Sequence, residues 1–487
     1  MAYDIIGNVV DSADKELKDV VVSDGVQNVK TNNDGYYEIK TDKTRLTFSK
    51  NGFVTGSFDL SKYKNPSSSL FVKNRKKLSD AMVPGSIAVF HSNDELPRNG
   101  DAYFTFRQQS DIYYLTGIDQ EDTILVLFPD SPNPLYKEMI FVKETSDQIA
   151  VWDGARLNPN QVFEVSGIKQ VFWFHEFWKT IHAAFLLAEN IYFNLNENDR
   201  FTDRVSYSNL RFATEIKDKY PAHNFKRSSP ILANLRMRKE VEEIDQLKEA
   251  INITQKGFER LLGFVKPGVF EYEIEAELIH EFIRNRSRGF AFDPIIASGS
   301  SACVLHYIEN NKQCKDGDLL LLDFGAEYGN YNGDLSRCIP VNGRFSPRQK
   351  EVYNAVLLVQ REAKKLLRPG VSLPVYHEEV CKIMSDQLIQ LGLLTSAEVK
   401  ANPKAHLKYY MHGTSHHLGL DVHDVMHRWE SMDINNVVTV EPGIYIPEEG
   451  LGIRIENDVL ITANEVIDFM ENFPIEVEDI EERMNRS

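Results

Sequence analysis

Leu319-Leu320-Leu321-Leu322-Asp323-Phe324-Gly325-Ala326-Glu327-Tyr328 opens as an apolar run and then meets a single acid, Asp323. The run reads as a buried strand. Gly329, Asn330, Asn332 and Gly333 follow, so the chain turns and carries Asp334 on the returning segment. Two carboxylates on paired strands can face one cavity. An ionised carboxylate beside so apolar a run is costly to bury without hydrogen bonds or a cation, which makes a metal ion a natural partner. Taken singly, Asp323 reads equally as a turn cap and Asp334 as a solvated side chain.

The arrangement recurs downstream. Val437-Val438-Thr439-Val440 runs into Glu441, and Pro442-Gly443 ends the strand. A further strand is expected from Gly452 to Ile461. Its two-residue period puts Arg454, Glu456 and Asp458 on one face and Ile453 and Ile455 on the other. A polar face of this kind is ordinarily turned to solvent. Histidine decides between the readings: of 13 in the chain, five lie between His412 and His427, and imidazole serves both metal ligation and proton transfer. His416 and His417 are adjacent and would point to opposite sides of an extended segment, so one of them is expected to reach a given site.

A chain of 487 residues exceeds a usual single core and is expected to divide into two or three domains. Its hydrophobic fraction of 42% excludes extended disorder, and its longest apolar runs are strand-sized, well short of a membrane span. A net charge of -17 disfavours nucleic acid and anionic lipid as partners. Cys303, Cys314, Cys338 and Cys381 form no CxxC pair and read as reduced thiols. Residues 1–20 lack the charged and apolar regions of a signal peptide, so a cytoplasmic protein, or one whose leader has been trimmed, is expected.

Residues 1–62 read as a small β module, with strands at Asp4–Val10 and Val20–Val22 and turns at Ser23-Asp24-Gly25 and Asn32-Asn33-Asp34-Gly35. With Tyr36-Tyr37 and Phe48-Ser49-Lys50-Asn51-Gly52-Phe53, the pattern resembles carboxypeptidase-regulatory-like β-sandwich modules. Lys62–Ser69 is a polar linker. Residues 63–232 alternate strands, at 86–90, 123–128, 138–142 and 190–193, with helical stretches, as an α/β domain does. From 233 to 487 the expectation is an α+β domain, opening on a helix whose Ile244, Leu247 and Ile251 share a face.

Asp323, Asp334, His416, Glu441 and Glu456, in the contexts LLDFGAEY, NGDLSR, HGTSHHLGLDVHD, VEPGIYI and GIRIEND, resemble the ligands of dinuclear metallopeptidases with the pita-bread fold. Within that superfamily the likeness is to the Xaa-Pro aminopeptidases, also called aminopeptidase P. Arg98-Asn99-Gly100-Asp101 and Phe106-Arg107-Gln108-Gln109-Ser110-Asp111-Ile112-Tyr113-Tyr114-Leu115-Thr116-Gly117 resemble the creatinase/prolidase-type N-terminal domain. The likeness runs from about residue 70 to the C-terminus and leaves the β module outside.

The resemblance implies those residues as ligands of two divalent metal ions, Mn2+ above Co2+ or Zn2+. It implies a hydroxide bridging the metals that attacks the first peptide bond of peptides with proline second, with Glu441 accepting and returning the proton. His306 and His423 would contact substrate and the developing oxyanion, with Tyr445 also at the substrate. His412 would support the site from its edge, and Arg454 would hold His423 or a carboxylate in place. The substrate amine is expected near Asp323, and the assembly as a homodimer or homotetramer. One departure is His417, where the family often has an aromatic residue. A prolidase, which cleaves only dipeptides ending in proline, shares these motifs. A non-catalytic peptide-binding module and a metal-independent creatinase type both fit poorly with the intact acidic set.

Overall fold

The computed structural model describes the chain except for residues 1–2, 10–16, 25, 42–44, 51–55, 60–64, 155, 199–203, 428 and 487. The expected turn residue Gly25, Val10, Asn51–Phe53 and the first three residues of the linker, Lys62 to Lys64, lie outside the described residues. The chain forms two compact units, Met1–Asn65 and Pro66–Ser487. In the first, Tyr3–Asn8 pairs with Tyr36–Thr41, and a second sheet runs in the order Asn28–Lys30, Val21–Ser23, Arg45–Ser49, Gly56–Asp59. Its core is small: Val22, Tyr37, Ile39 and Leu46, with Val9, Val29 and Phe48 against them.

The second unit begins with a helix, Ser68–Ala81, capped by Ser67, so the serines expected as linker start a helix instead. A six-stranded sheet follows, in the order Val171–Trp173, Glu138–Val142, Ile124–Leu127, Ser86–His91, Asn190–Phe193, Asn224–Arg227. Its inner strands are apolar on both faces because both are covered. Ile87, Val89, Ile124, Val126 and Phe141 meet Phe177, Ile181, Phe185 and Phe212 on one side. Ala88, Phe90, Leu125, Leu127 and Ile140 meet Leu78, Ile112, Tyr114 and Leu115 on the other. That second cluster continues without a break into Leu232, Ile244, Leu247, Leu418, Leu420 and Leu460, so the α/β domain and the domain after it share one core. Each such side chain contributes roughly 1.5–3 kcal/mol by leaving water.

The C-terminal region opens on a helix of 24 residues, Val241–Phe264, which continues well past the face marked by Ile244, Leu247 and Ile251. Glu271–Arg284, Pro347–Leu366 and Leu373–Gln390 complete the larger helices. Beside them lie three three-stranded sheets and a hairpin. The sheets run Gly289–Phe290, Ala326–Tyr328, Tyr331–Asn332, then Ile295–Ser298, Leu319–Phe324, Leu335–Pro340, and Val437–Val440, Asn457–Ile461, Val466–Asp468; the hairpin is Gly443–Ile446 with Leu451–Arg454. The single strand expected from Gly452 to Ile461 is therefore two, interrupted at Ile455 and Glu456. The break lets each half pair in a different sheet while the Glu456 N–H donates to Ser336 O at 3.1 Å. The polar face turns inward, as a ligand role for Glu456 requires, and not to solvent: Arg454, Glu456 and Asp458 are 4%, 2% and 0% exposed. They face inward, where Arg454 donates to Asp323 and to Ser336, and Asp458 accepts from the Asp334 N–H.

Gly325 makes the first hairpin possible. A Cβ there would lie 1.6 Å from Gly333 O, so no side chain fits where the returning segment crosses. Replacing it, Gly325→Ala, is expected to lower the melting temperature by several degrees and to weaken metal uptake, since a clash with backbone cannot be relieved by a rotamer change. An unchanged melting curve and metal content would show that the crossing is looser than a 1.6 Å approach requires.

Candidate metal centre

Strand register places the acids. Asp323 pairs with Ser336 and Phe324 with Leu335 across the antiparallel ladder, which sets Asp334 opposite Gly325. Opposed residues share a face and so do residues two apart, so Asp323 and Asp334 point to the same side. The histidine-bearing segment lies along the other sheet: Leu418 N–H donates to Val437 O at 3.1 Å, Thr439 N–H to His416 O at 3.0 Å and Glu441 N–H to Thr414 O at 2.9 Å. This brings His416 Nε2 to 3.5 Å from Asp334 Oδ2 and 3.7 Å from Glu441 Oε1. Ligand atoms of Asp334, His416 and Glu456 all fall within 4.8 Å of one another.

Hydrogen bonds fix the orientation of each group. His416 Nδ1 lies 2.9 Å from His417 O, a pure acceptor, so Nδ1 carries the proton and Nε2 faces the acids. His412 Nδ1 likewise donates to Gly413 O at 2.8 Å, which leaves Nε2 to accept from the Tyr445 hydroxyl at 2.9 Å. Tyr445 Oη in turn accepts from Arg454 Nη1 at 2.7 Å. Arg454 Nη2 donates to Asp323, and its Nε donates to Ser336 Oγ at 3.0 Å, whose hydroxyl donates to Glu456 Oε2 at 2.8 Å. Of the two roles expected for Arg454, this is the second: it holds a carboxylate.

The charge balance of the cavity is unfavourable. Burial, then Asp323 nearby, pushes the Asp334 carboxyl up to about 6 against the pull of His416. Burial and its acidic neighbours push Glu441 up to about 7. Glu456 and Asp458 are driven well above the carboxylate range by burial and then by Asp334. Burial opposes a charge on His416, yet Asp334 and Glu441 raise it to about 9, whereas burial and Arg454 depress His412 to about 3. Asp323 Oδ1, Asp334 Oδ1 and Asp458 Oδ1 are buried without a hydrogen-bond partner. Oxygen-rich ligands, orphaned carboxylate oxygens and a correctly oriented imidazole fit divalent cations.

The remaining expected residues sit around this core. His423 packs edge-on against His416, ring centroids 4.4 Å apart. His306 is exposed at the rim, within electrostatic reach of His412. His427 turns away, its Nε2 2.9 Å from Pro230 O, and His417 is buried on the opposite side of the segment, in a bridge with Val438. Asp458 and Ser336 were not singled out by the sequence. Asp458 Oδ2 accepts from Asp334 N–H at 3.0 Å, and its spacing of two from Glu456 was the available signal. Ser336 had none, because its role comes from lying opposite Asp323.

The raised carboxyls set a pH dependence. Unfolded carboxyls titrate near about 4, so the protons kept on Asp334 and Glu441 stabilise the metal-free fold below about pH 4, a contribution lost as pH rises through about 6 to 7. Metal needs the deprotonated groups and binds more tightly over the same interval. Saturating metal is therefore expected to raise the melting temperature more at about pH 8 than at about pH 5.5. Equal increments at both would mean that these acids do not hold the cation.

Comparison with known proteins bears on the same residues. Residues 245–463 match the model of metallopeptidase family M24, and residues 71–192 that of the aminopeptidase P N-terminal domain. The Xaa-Pro aminopeptidase of Haemophilus influenzae is 35% identical over 85% of this chain and 97% of its own length. Human Xaa-Pro aminopeptidase 3 is 31% identical over 80% of this chain and 79% of its own. A zinc-substituted Escherichia coli aminopeptidase P in complex with product superposes with a TM-score of 0.77 at 31% identity, covering 86% of this chain and 99% of that one. With its buried acids, oriented imidazole and 35% identity along nearly the whole of the Haemophilus influenzae enzyme, the chain belongs to the Xaa-Pro aminopeptidases of metallopeptidase family M24.

Proposed function

We propose that the chain removes the first residue from peptides with proline in second place, using divalent cations held by Asp323, Asp334, His416, Glu441 and Glu456. The observation that carries this is the buried acidic cavity with orphaned oxygens, in a chain similar to Xaa-Pro aminopeptidases along their length. Four carboxylates and one imidazole favour Mn2+, with Co2+ and Zn2+ as substitutes. Such cations polarise a scissile carbonyl and lower the pKa of water to near neutrality.

The protein groups divide the remaining work. Glu441 sits at the cavity wall with its side chain 19% exposed, placed to take a proton from the attacking water and pass it to the leaving proline nitrogen. His423, packed against His416, and His306, near His412, would contact the substrate carbonyl as negative charge develops on it. The chain Arg454, Tyr445, His412 fixes Asp323, where the substrate amine would be received. The reading includes self-association as a dimer or tetramer. It also includes residence in the cytoplasm, where the four unpaired cysteines stay reduced.

Metal-stripped protein given Mn2+, Co2+ or Zn2+ is expected to cleave an Xaa-Pro-Xaa tripeptide after its first residue, with Mn2+ restoring the highest turnover. Cleavage of Xaa-Pro dipeptides with none of the tripeptide would favour a prolidase and sink this reading.

A further inference from the structure

The turn Asp421-Val422-His423-Asp424 is held by more ionic contacts than its connection requires. Arg236, 2% exposed at the end of the helix Ser229–Met237, donates from Nη1 to Asp111 Oδ1 at 2.7 Å. From Nη2 it donates to Asp421 Oδ2 at 2.7 Å and to Asp424 Oδ1 at 2.5 Å. Lys239 Nζ, equally buried, donates to Asp424 Oδ2 at 2.9 Å. From the N-terminal domain, Ser110 Oγ donates to Asp421 Oδ1 at 2.7 Å and Arg107 Nη2 to Leu420 O at 2.8 Å. Gly419 leaves space for this, since a Cβ there would lie 2.2 Å from Asp424 Oδ2.

Such a network is a poor way to gain stability. Desolvating buried charges consumes most of the attraction between them, and an apolar cluster of the same volume would join the domains as well. What the bidentate, charge-assisted bonds add is direction. They clamp the acids on either side of Val422 and His423, and His423 is the ring set against His416. The Asp424 N–H also donates to His417 O at 2.9 Å, tying the turn to the ligand-bearing segment.

We infer that Arg236, Asp421, Asp424 and Ser110 are positioning residues for His423, so that the N-terminal domain fixes where that imidazole meets the substrate. The inference rests on the reading of His423 as a substrate-facing group. It gives the segment 107–111 a task in turnover beyond joining two domains: the Gln109-capped helix Ser110–Thr116 presents Ser110 and Asp111 to the clamp.

The test is a set of double-mutant cycles in the full-length, metal-loaded enzyme. Asp421→Asn weakens one arm of the clamp at a side chain already 44% exposed, and Ser110→Ala removes one hydrogen bond. Each is expected to lower kcat on an Xaa-Pro-Xaa tripeptide by on the order of tenfold, with KM, metal content and melting temperature little changed. In a His423→Ala background neither is expected to lower kcat further. A parallel readout needs no turnover: the His423 imidazole 15N signals in zinc-loaded protein, assigned by their loss in His423→Ala, are expected to shift in both variants while those of His306 stay. Equal falls in both backgrounds, or unmoved His423 signals, would overturn the inference. Full turnover in His423→Ala alone would instead remove the role of His423 on which it stands.

Discussion

Repulsion among buried carboxylates is the constraint on which the rest of this structure depends. Asp323, Asp334, Glu441, Glu456 and Asp458 are drawn into one cavity, with Arg454 and His416 beside them to offset their charge. Burial and neighbouring like charges favour the protonated forms of Asp334, Glu441, Glu456 and Asp458, and a strong cation lets these ionise together. The second sheet, the hairpin and the histidine segment can each be understood as a means of bringing one acid or one base to that point. The hydrogen bonds of Arg454 then pin the ring of ligands from behind, so that their geometry does not depend on the ion alone.

The fold meets this constraint by bending. Gly325 lets the first hairpin cross itself, and the interruption at Ile455 and Glu456 passes the chain from one sheet to another just where a ligand is required. The α/β domain is joined to this region through a continuous apolar core and through buried ionic contacts centred on Arg236. The apolar core supplies adhesion without much directional preference, while the ionic contacts set orientation. Catalytic precision in the C-terminal domain is thereby tied to residues more than 100 positions earlier in the chain.

Much of this was legible from the residues. The all-apolar strands Ser86–His91 and Leu319–Phe324 stand out because strands covered on both faces lose the alternation of half-exposed ones. Asp323 and Glu441 stand at the ends of apolar runs and His416 within a dense histidine segment, and those positions carry their own signal, whereas Asp334 and Glu456 gain meaning in company with them. The broken strand did not announce itself: Gly452 to Ile461 keeps a regular two-residue period across Ile455 and Glu456, and only tertiary pairing interrupts it. Ser336 was silent for a related reason, since a serine in a strand gains meaning from the acid opposite it. Asp458 lay on a face that local pattern assigns to solvent, and the tertiary packing that buries it against the Asp334 segment is not written in that pattern.

The most direct measurement is the metal content and tripeptide turnover of Asp334→Ala, taken together on protein whose secondary structure matches the parent. Asp334 offers a ligand atom within 4.8 Å of those of both His416 and Glu456. The account predicts that the parent binds about two divalent cations per chain, while the variant loses both cation binding and hydrolysis of Xaa-Pro-Xaa. Full turnover with undiminished metal in the variant would contradict it.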